Sequence, residues 1–166
     1  MSIHSEHPFQ EAMRDPGRRF RGRLGGRVAL WATGTAASGA GLTVSSQLLV
    51  AGDPWRAVAA VNPDSDFADA VGTTGLCTTT LLESHHLALA EAFAGGPAPG
   101  GPFRLTRWAD TEWGPVPDDA GTWAGMEVES IAPLGWLLLV TCRVRTIVIG
   151  DDDHPLAHRR GRYELG

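Results

Sequence analysis

GLTVSSQLLVAGDPW, residues 41–55, combines an alternating strand pattern, a row of small hydroxyl side chains and a hard stop. Successive side chains of an extended segment face opposite sides, so Leu42, Val44, Ser46, Leu48 and Val50 are predicted to share one face and Thr43, Ser45 and Gln47 the other. One face packs and the other is free to bind. Gly52-Asp53-Pro54 ends the strand, because proline lacks a backbone donor and the residue before it avoids helical angles. A second apolar run, Ala57 to Val61, follows at once.

Working outward, Arg27 to Thr33 reads as a preceding strand and Gly34 to Gly41 as the hairpin loop between the two. Downstream, Asn62-Pro63-Asp64-Ser65 reads as a turn, with Asp64 or Ser65 capping a short helix through Val71. Gly75 to Leu82 is a further strand, and Ser84 starts a helix that Gly95 closes. Gly95 to Phe103 is a surface loop leading to Trp108 and Trp113, which either cover a ligand or pack on the body of the fold. Thr122 to Ile131 and Trp136 to Ile149 form a long hairpin about Pro133-Leu134-Gly135, with Glu127 and Glu129 set to pair with Arg143 and Arg145. The expected fold is therefore mainly β: a small closed or partly open barrel of six or seven strands with two or three short helices.

At 166 residues the chain suits one domain with a substantial core. No stretch approaches the ~20 apolar residues that span a bilayer, and the opening MSIHSEHPF lacks the pattern of a secretory signal, so a cytoplasmic location is expected. The net charge of −5 argues against nucleic acid as a partner. Six of the fourteen arginines nevertheless fall between Arg14 and Arg27. Residues 1–26 are read as a solvated arginine-rich arm with a short helix at Pro8 to Met13, in which Gly17, Gly22, Gly25 and Gly26 stop further helix, and residues 27–166 as the folded domain.

Lysine is absent, which excludes Schiff-base and phosphate-loop lysine chemistry. Cys77 and Cys142 lie in apolar strands and give neither a metal spacing nor a disulfide framework. His85 and His86 should diverge by roughly 100° on a helix and so not share a metal. Asp151-Asp152-Asp153 reads as a solvated turn, so no metal site is expected.

The pieces GLTVSS, the aspartate-proline turn, Ser65 in its turn, the Phe93-Ala94-Gly95 helix end and the Arg160-Gly161-Arg162-Tyr163 tail resemble, in that order, the flavin reductase-like, FMN-binding split-barrel family. The resemblance spans about residues 27 to 163. It implies a six- to seven-stranded Greek-key split barrel, a homodimer, and FMN as cofactor, with riboflavin or FAD open. Thr43, Val44, Ser45 and Ser46 would meet the flavin ring, Ser65 its phosphate, and Arg160 or Arg162 an anionic part of the ligand or the nicotinamide substrate. Thr80 matches a family asparagine position, and His158 is the candidate beside the hydride donor. The implied reaction is hydride transfer from NADH or NADPH to flavin, with the reduced flavin passed to a monooxygenase component.

Two departures qualify the match. Asp66 and Phe67 stand where arginine and threonine hold the phosphate, and a carboxylate ~5 Å from a phosphate is repelled by about 3 kcal/mol at an effective dielectric of ~20. The glycine-aspartate-histidine segment associated with the nicotinamide is missing between Arg143 and Gly150. A non-catalytic flavin-binding or flavin-carrier dimer, or a split-barrel protein using deazaflavin, are the alternatives these departures motivate.

Overall fold

The computed structural model describes residues 16–166. The helix expected at Pro8 to Met13 lies outside the described residues.

A seven-stranded antiparallel sheet forms the body. Its strands are β2 (Ala29–Thr33), β3 (Ala40–Val44), β4 (Gln47–Val50), β5 (Arg56–Val61), β6 (Leu76–Leu81), β9 (Trp123–Leu134) and β10 (Leu137–Val148), in spatial order β3-β2-β6-β9-β10-β5-β4. The two ends of that order, β3 and β4, are consecutive in sequence and separated only by Ser45 and Ser46. A two-residue link reaches roughly 10 Å, so the sheet must curl until its edges nearly meet. The indole of Trp31 on β2 donates to the Gln47 amide oxygen on β4 at 2.9 Å, tying the curled sheet across its interior. The split barrel expected from the sequence is what forms.

GLTVSS thus runs through the split as two strands rather than one. The expected alternation holds to Val44, which is buried, and then fails: Leu48 is 61 % exposed and Val50 41 % exposed. The bend at Ser45-Ser46 turns the chain onto the opposite sheet edge and rotates its apolar side chains outward.

The barrel interior is filled by Trp31, Val44, Val61, Met126, Cys77 and Cys142, together with Phe67 and Val71 of α2 (Asp66–Thr74). Ser65 caps α2 by accepting from the Ala68 amide, as expected. The two cysteine sulfurs lie 3.7 Å apart, both fully enclosed. A second cluster covers the outer side of the sheet. In it Val28, Leu30, Leu82 and Leu156 meet Leu89, Ala90 and Phe93 of α3 (Leu87–Phe93), which follows a 3₁₀ turn at Ser84–His86.

Five short strands in two further sheets complete the fold. β1 (Gly26–Arg27) pairs with β11 (Leu156–Arg159), which forms a hairpin with β12 (Arg162–Leu165), while β7 (Trp108–Asp110) pairs with β8 (Pro115–Pro117). The long hairpin forms, turning at Gly135-Trp136, and carries the expected ion pairs: Arg143 to Glu127 at 3.0 Å, Arg145 to Glu127 at 3.3 Å and Arg143 to Glu129 at 3.4 Å.

The arginine-rich segment departs from its sequence reading. Pro16–Leu24 is a helix, α1, running through Gly17 and Gly22 and packed against β11. Proline suits the first helical turn, and four arginines, good helix formers, outweigh two glycines. Gly25, at φ +64°, ends the helix in the left-handed conformation that favours glycine, its amide bonded to the Arg21 carbonyl.

Candidate flavin site

β3 and the bend after it place the predicted ring contacts. The Thr43 hydroxyl donates to the Ala90 carbonyl of α3 at 2.6 Å, so it ties strand to helix. Val44 points into the core and offers a ligand only its backbone. Ser45 and Ser46 are exposed at the open end of the strand, the Ser46 hydroxyl donating to the Ala60 carbonyl at 2.8 Å. Thr80 is fully buried between Leu30 and Trp123, and its hydroxyl has no partner. Its side chain is enclosed within the sheet.

Tertiary pairing brings the C-terminal residues to Ser45. A Cβ on Gly26 would stand 2.6 Å from the Ser45 carbonyl oxygen, and Gly26 lies opposite His158 in the β1–β11 pair. His158 is half-buried, edge-to-face with Tyr163 at 5.2 Å between ring centres. Burial, with the Glu91 carboxylate adding to it, raises the Tyr163 hydroxyl pKa above its ordinary value. Arg160 lies in the β11–β12 turn and Arg162 directly after it, and both are exposed. Ser45 thus adjoins the β1–β11 pair that carries His158, and Arg160 and Arg162 follow the end of the same strand.

Ser65 lies apart from Ser45. It lines a cavity of about 450 Å³ together with Gly41, Leu42, Asp64, Asp66, Phe93 and Phe103. Gly41 and Ser45 are four residues apart along β3, so the two places lie roughly 13 Å from one another. The Ser65 hydroxyl is already engaged, donating to the Asn62 carbonyl and accepting from the Ala68 amide. Two carboxylates and no arginine line this cavity among the described residues. Its aromatic and apolar walls suit a ring system, whereas its charge opposes a phosphate. The cationic groups that suit an anion lie instead on the β11–β12 hairpin, whereas this cavity offers a ring system aromatic and apolar walls beside two carboxylates.

Sequence reading left the role of the tryptophans open, and both pack on the body of the fold. Trp108 joins Phe93 and Phe103, its indole donating to the Phe103 carbonyl at 2.7 Å, while Trp113 lies directly over Gly125.

His85 and His86 do not diverge as expected. Both rings turn to Asp119, each Nε2 3.0 Å from one carboxylate oxygen. These three groups have ligand atoms within 4.8 Å of each other. His86 Nδ1, however, accepts the Glu83 amide at 3.0 Å, so its Nε2 carries the ring proton and donates to Asp119. Coordination through that nitrogen would require an imidazolate, and the cluster is a hydrogen-bonded clamp. The acidic turn is likewise structural, with Asp152 bonded to Arg27 at 2.8 Å.

A family model for the flavin reductase like domain matches residues 21–165. The chain belongs to the flavin reductase like family. Within it, the FMN reductase (NADH) RutF of Cronobacter sakazakii is 30 % identical over 156 residues, covering 93 % of this chain and 91 % of that protein. The fold matches nitrilotriacetate monooxygenase component B from Mycobacterium thermoresistibile with a TM-score of 0.84 at 19 % identity, covering 95 % and 88 % of the two chains. It matches the Streptomyces globisporus NADH:FAD oxidoreductase SgcE6 with a TM-score of 0.79 at 17 % identity, covering 99 % and 98 %. The family's flavin-reductase fold is thus retained over the whole described chain, including the segment with the acidic turn.

Proposed function

We propose that the protein is a flavin reductase that binds FMN, takes hydride from NADH and hands the reduced flavin to a monooxygenase component, working as a cytoplasmic homodimer. The observation that carries this reading is the open end of β3, where Ser45 and Ser46 are exposed and Ser45 lies against Gly26, the residue opposite His158, in a chain that is 30 % identical to an FMN reductase over nearly its full length.

Bound flavin supplies the electron-accepting ring, so the protein need provide only orientation and electrostatics. The backbone at Val44 to Ser46 meets the ring's polar edge. Phe93 and Phe103 wall off the apolar side and exclude water. His158 sits beside the hydride donor, and Arg160 and Arg162 hold anionic groups. No nucleophile and base are paired at this site among the described residues, as such a division of labour expects.

Titration with FMN, followed by steady-state NADH oxidation, tests the reading. Saturable quenching of flavin fluorescence with turnover supports it, and Ser45→Trp should then abolish both. Flavin binding without turnover would favour the carrier alternative, which the acidic Asp64 and Asp66 turn supports.

A further inference from the structure

Arginines from the two ends of the described chain lie on elements that pack together. Arg18, Arg19, Arg21 and Arg23 lie on α1, Arg159, Arg160 and Arg162 lie at the β11–β12 turn, and α1 packs on β11. A Cβ on Gly25 would be 3.3 Å from the Arg159 Cβ, so the two segments are in direct register. Half of the chain's fourteen arginines therefore gather on one corner of a molecule whose net charge is −5. Neither 16–24 nor 159–162 contains an acidic residue, and none of the seven guanidinium groups has a carboxylate partner among the described residues. Like charges crowded without counter-charges repel one another, and an anion joining them relieves that repulsion.

The corner also has shape. Arg19 and Arg23 are one helical turn apart on the same face, and with Pro16 and Phe20 they line a cavity of about 230 Å³. Phe20 is 73 % exposed, an uncovered ring between two guanidinium groups. Planar guanidinium forks suit phosphate oxygens, and an aromatic face beside them suits a stacked base. Across the chain, Arg160 adopts φ +52°, a left-handed conformation unfavourable for a side-chain-bearing residue, and it precedes Gly161 in a two-residue hairpin turn where asparagine would be relaxed. Arg160 is exposed there. A guanidinium held over the corner accounts for an arginine at this strained position.

We propose that α1 and the β11–β12 turn bind the adenosine diphosphate moiety of a dinucleotide, Arg19 and Arg23 clamping its phosphates and Phe20 stacking on its adenine. Its ligand class rests on the reductase reading, because NADH, NADPH and FAD all carry this group. α1 leads through Gly25 into β1, whose Gly26 lies against Ser45, so the chain runs from the proposed adenosine end to the ring end within a few residues. This placement also explains why the Asn62 to Asp66 turn can be acidic: the anion is held at the other end of β3.

Calorimetric titration of the full chain with ADP, and with adenosine as the uncharged control, tests the proposal. ADP should bind saturably and more tightly than adenosine, with affinity falling as salt rises. The double variant R19Q/R23Q should lose about tenfold or more in ADP affinity. R160N should also weaken ADP binding while raising the thermal midpoint, so that its loss cannot be ascribed to misfolding. If the variants raise the KM for NADH and leave FAD affinity alone, the nicotinamide dinucleotide is the ligand, and the reverse pattern identifies FAD. ADP binding no tighter than that of adenosine, or undiminished in R19Q/R23Q, overturns the proposal. Because ADP binding needs no turnover, a chain that binds ADP through these arginines yet neither binds riboflavin nor oxidises NADH would refute the reductase reading and leave the site standing. Flavin reduction by a chain indifferent to ADP would do the opposite.

Discussion

Thr80 carries a hydroxyl that is completely enclosed and bonds to nothing. A buried donor without a partner costs about 1–3 kcal/mol of desolvation, whereas an isosteric apolar group costs nothing there. Thr80→Val should therefore leave stability to urea unchanged or raise it by about 1 kcal/mol, with FMN affinity unaltered. A tenfold loss of FMN affinity in that variant would restore Thr80 to the ligand site. Thr43 behaves differently, because its hydroxyl is the bond between β3 and α3. Thr43→Val should loosen α3 against the strand and cost about 1–2 kcal/mol in the same denaturation assay, by leaving the Ala90 carbonyl without its donor. Both threonines match family positions, and only their surroundings separate a ligand contact from a structural bond.

At the scale of elements, the 3₁₀ turn before α3 is fastened by the clamp of His85, His86 and Asp119. Burial pushes the Asp119 carboxyl upward, but hydrogen bonds from His86 and His85 and their charges outweigh it and hold the group below its ordinary value. A depressed carboxylate contributes stability above its unfolded pKa of about 3.9 and loses it as pH falls through the lower folded value. Asp152, held down chiefly by its bond to Arg27, acts in the same sense. Thermal midpoints measured from pH 6 to pH 3 should decline below about pH 4, and Asp119→Asn should flatten part of that decline. Asp119 is half-exposed, so the difference is at most about 1 kcal/mol. An unchanged acid limb in the variant would show that the clamp is not what the pH senses.

For the whole molecule, the split leaves β4 as an edge strand with Leu48, Leu49 and Val50 exposed, and the end of β10 exposes Ile147 and Val148 beside Ile149. Leu48, Leu49, Ile147 and Ile149 border a cleft of about 280 Å³ that is almost wholly apolar. An exposed apolar edge strand of this kind invites pairing with another chain, and a second copy satisfies it in the proposed homodimer. Sedimentation velocity should find a dimer that Leu49→Asp converts to a monomer, with weakened flavin binding if the partner completes the site. A monomeric wild-type chain would overturn the dimer.

Pattern and chemistry along the chain were enough for β2, β5, β6, β9 and β10, the Ser65 cap, the hairpin ion pairs and the family, because each depends on alternation, capping or order of motifs. The break of GLTVSS into two strands was not legible, since it arises from closing a seven-stranded sheet on itself. The convergence of His85 and His86 was equally hidden, because Asp119 lies more than thirty residues away and nothing local turns both rings toward it. Helix propensity already favoured α1, but its glycines and surplus of charge read as a solvated arm. What only the tertiary structure decided is that its arginines stand beside those of the β11–β12 turn. Charge is counted along a sequence, whereas an anion responds to charge in space.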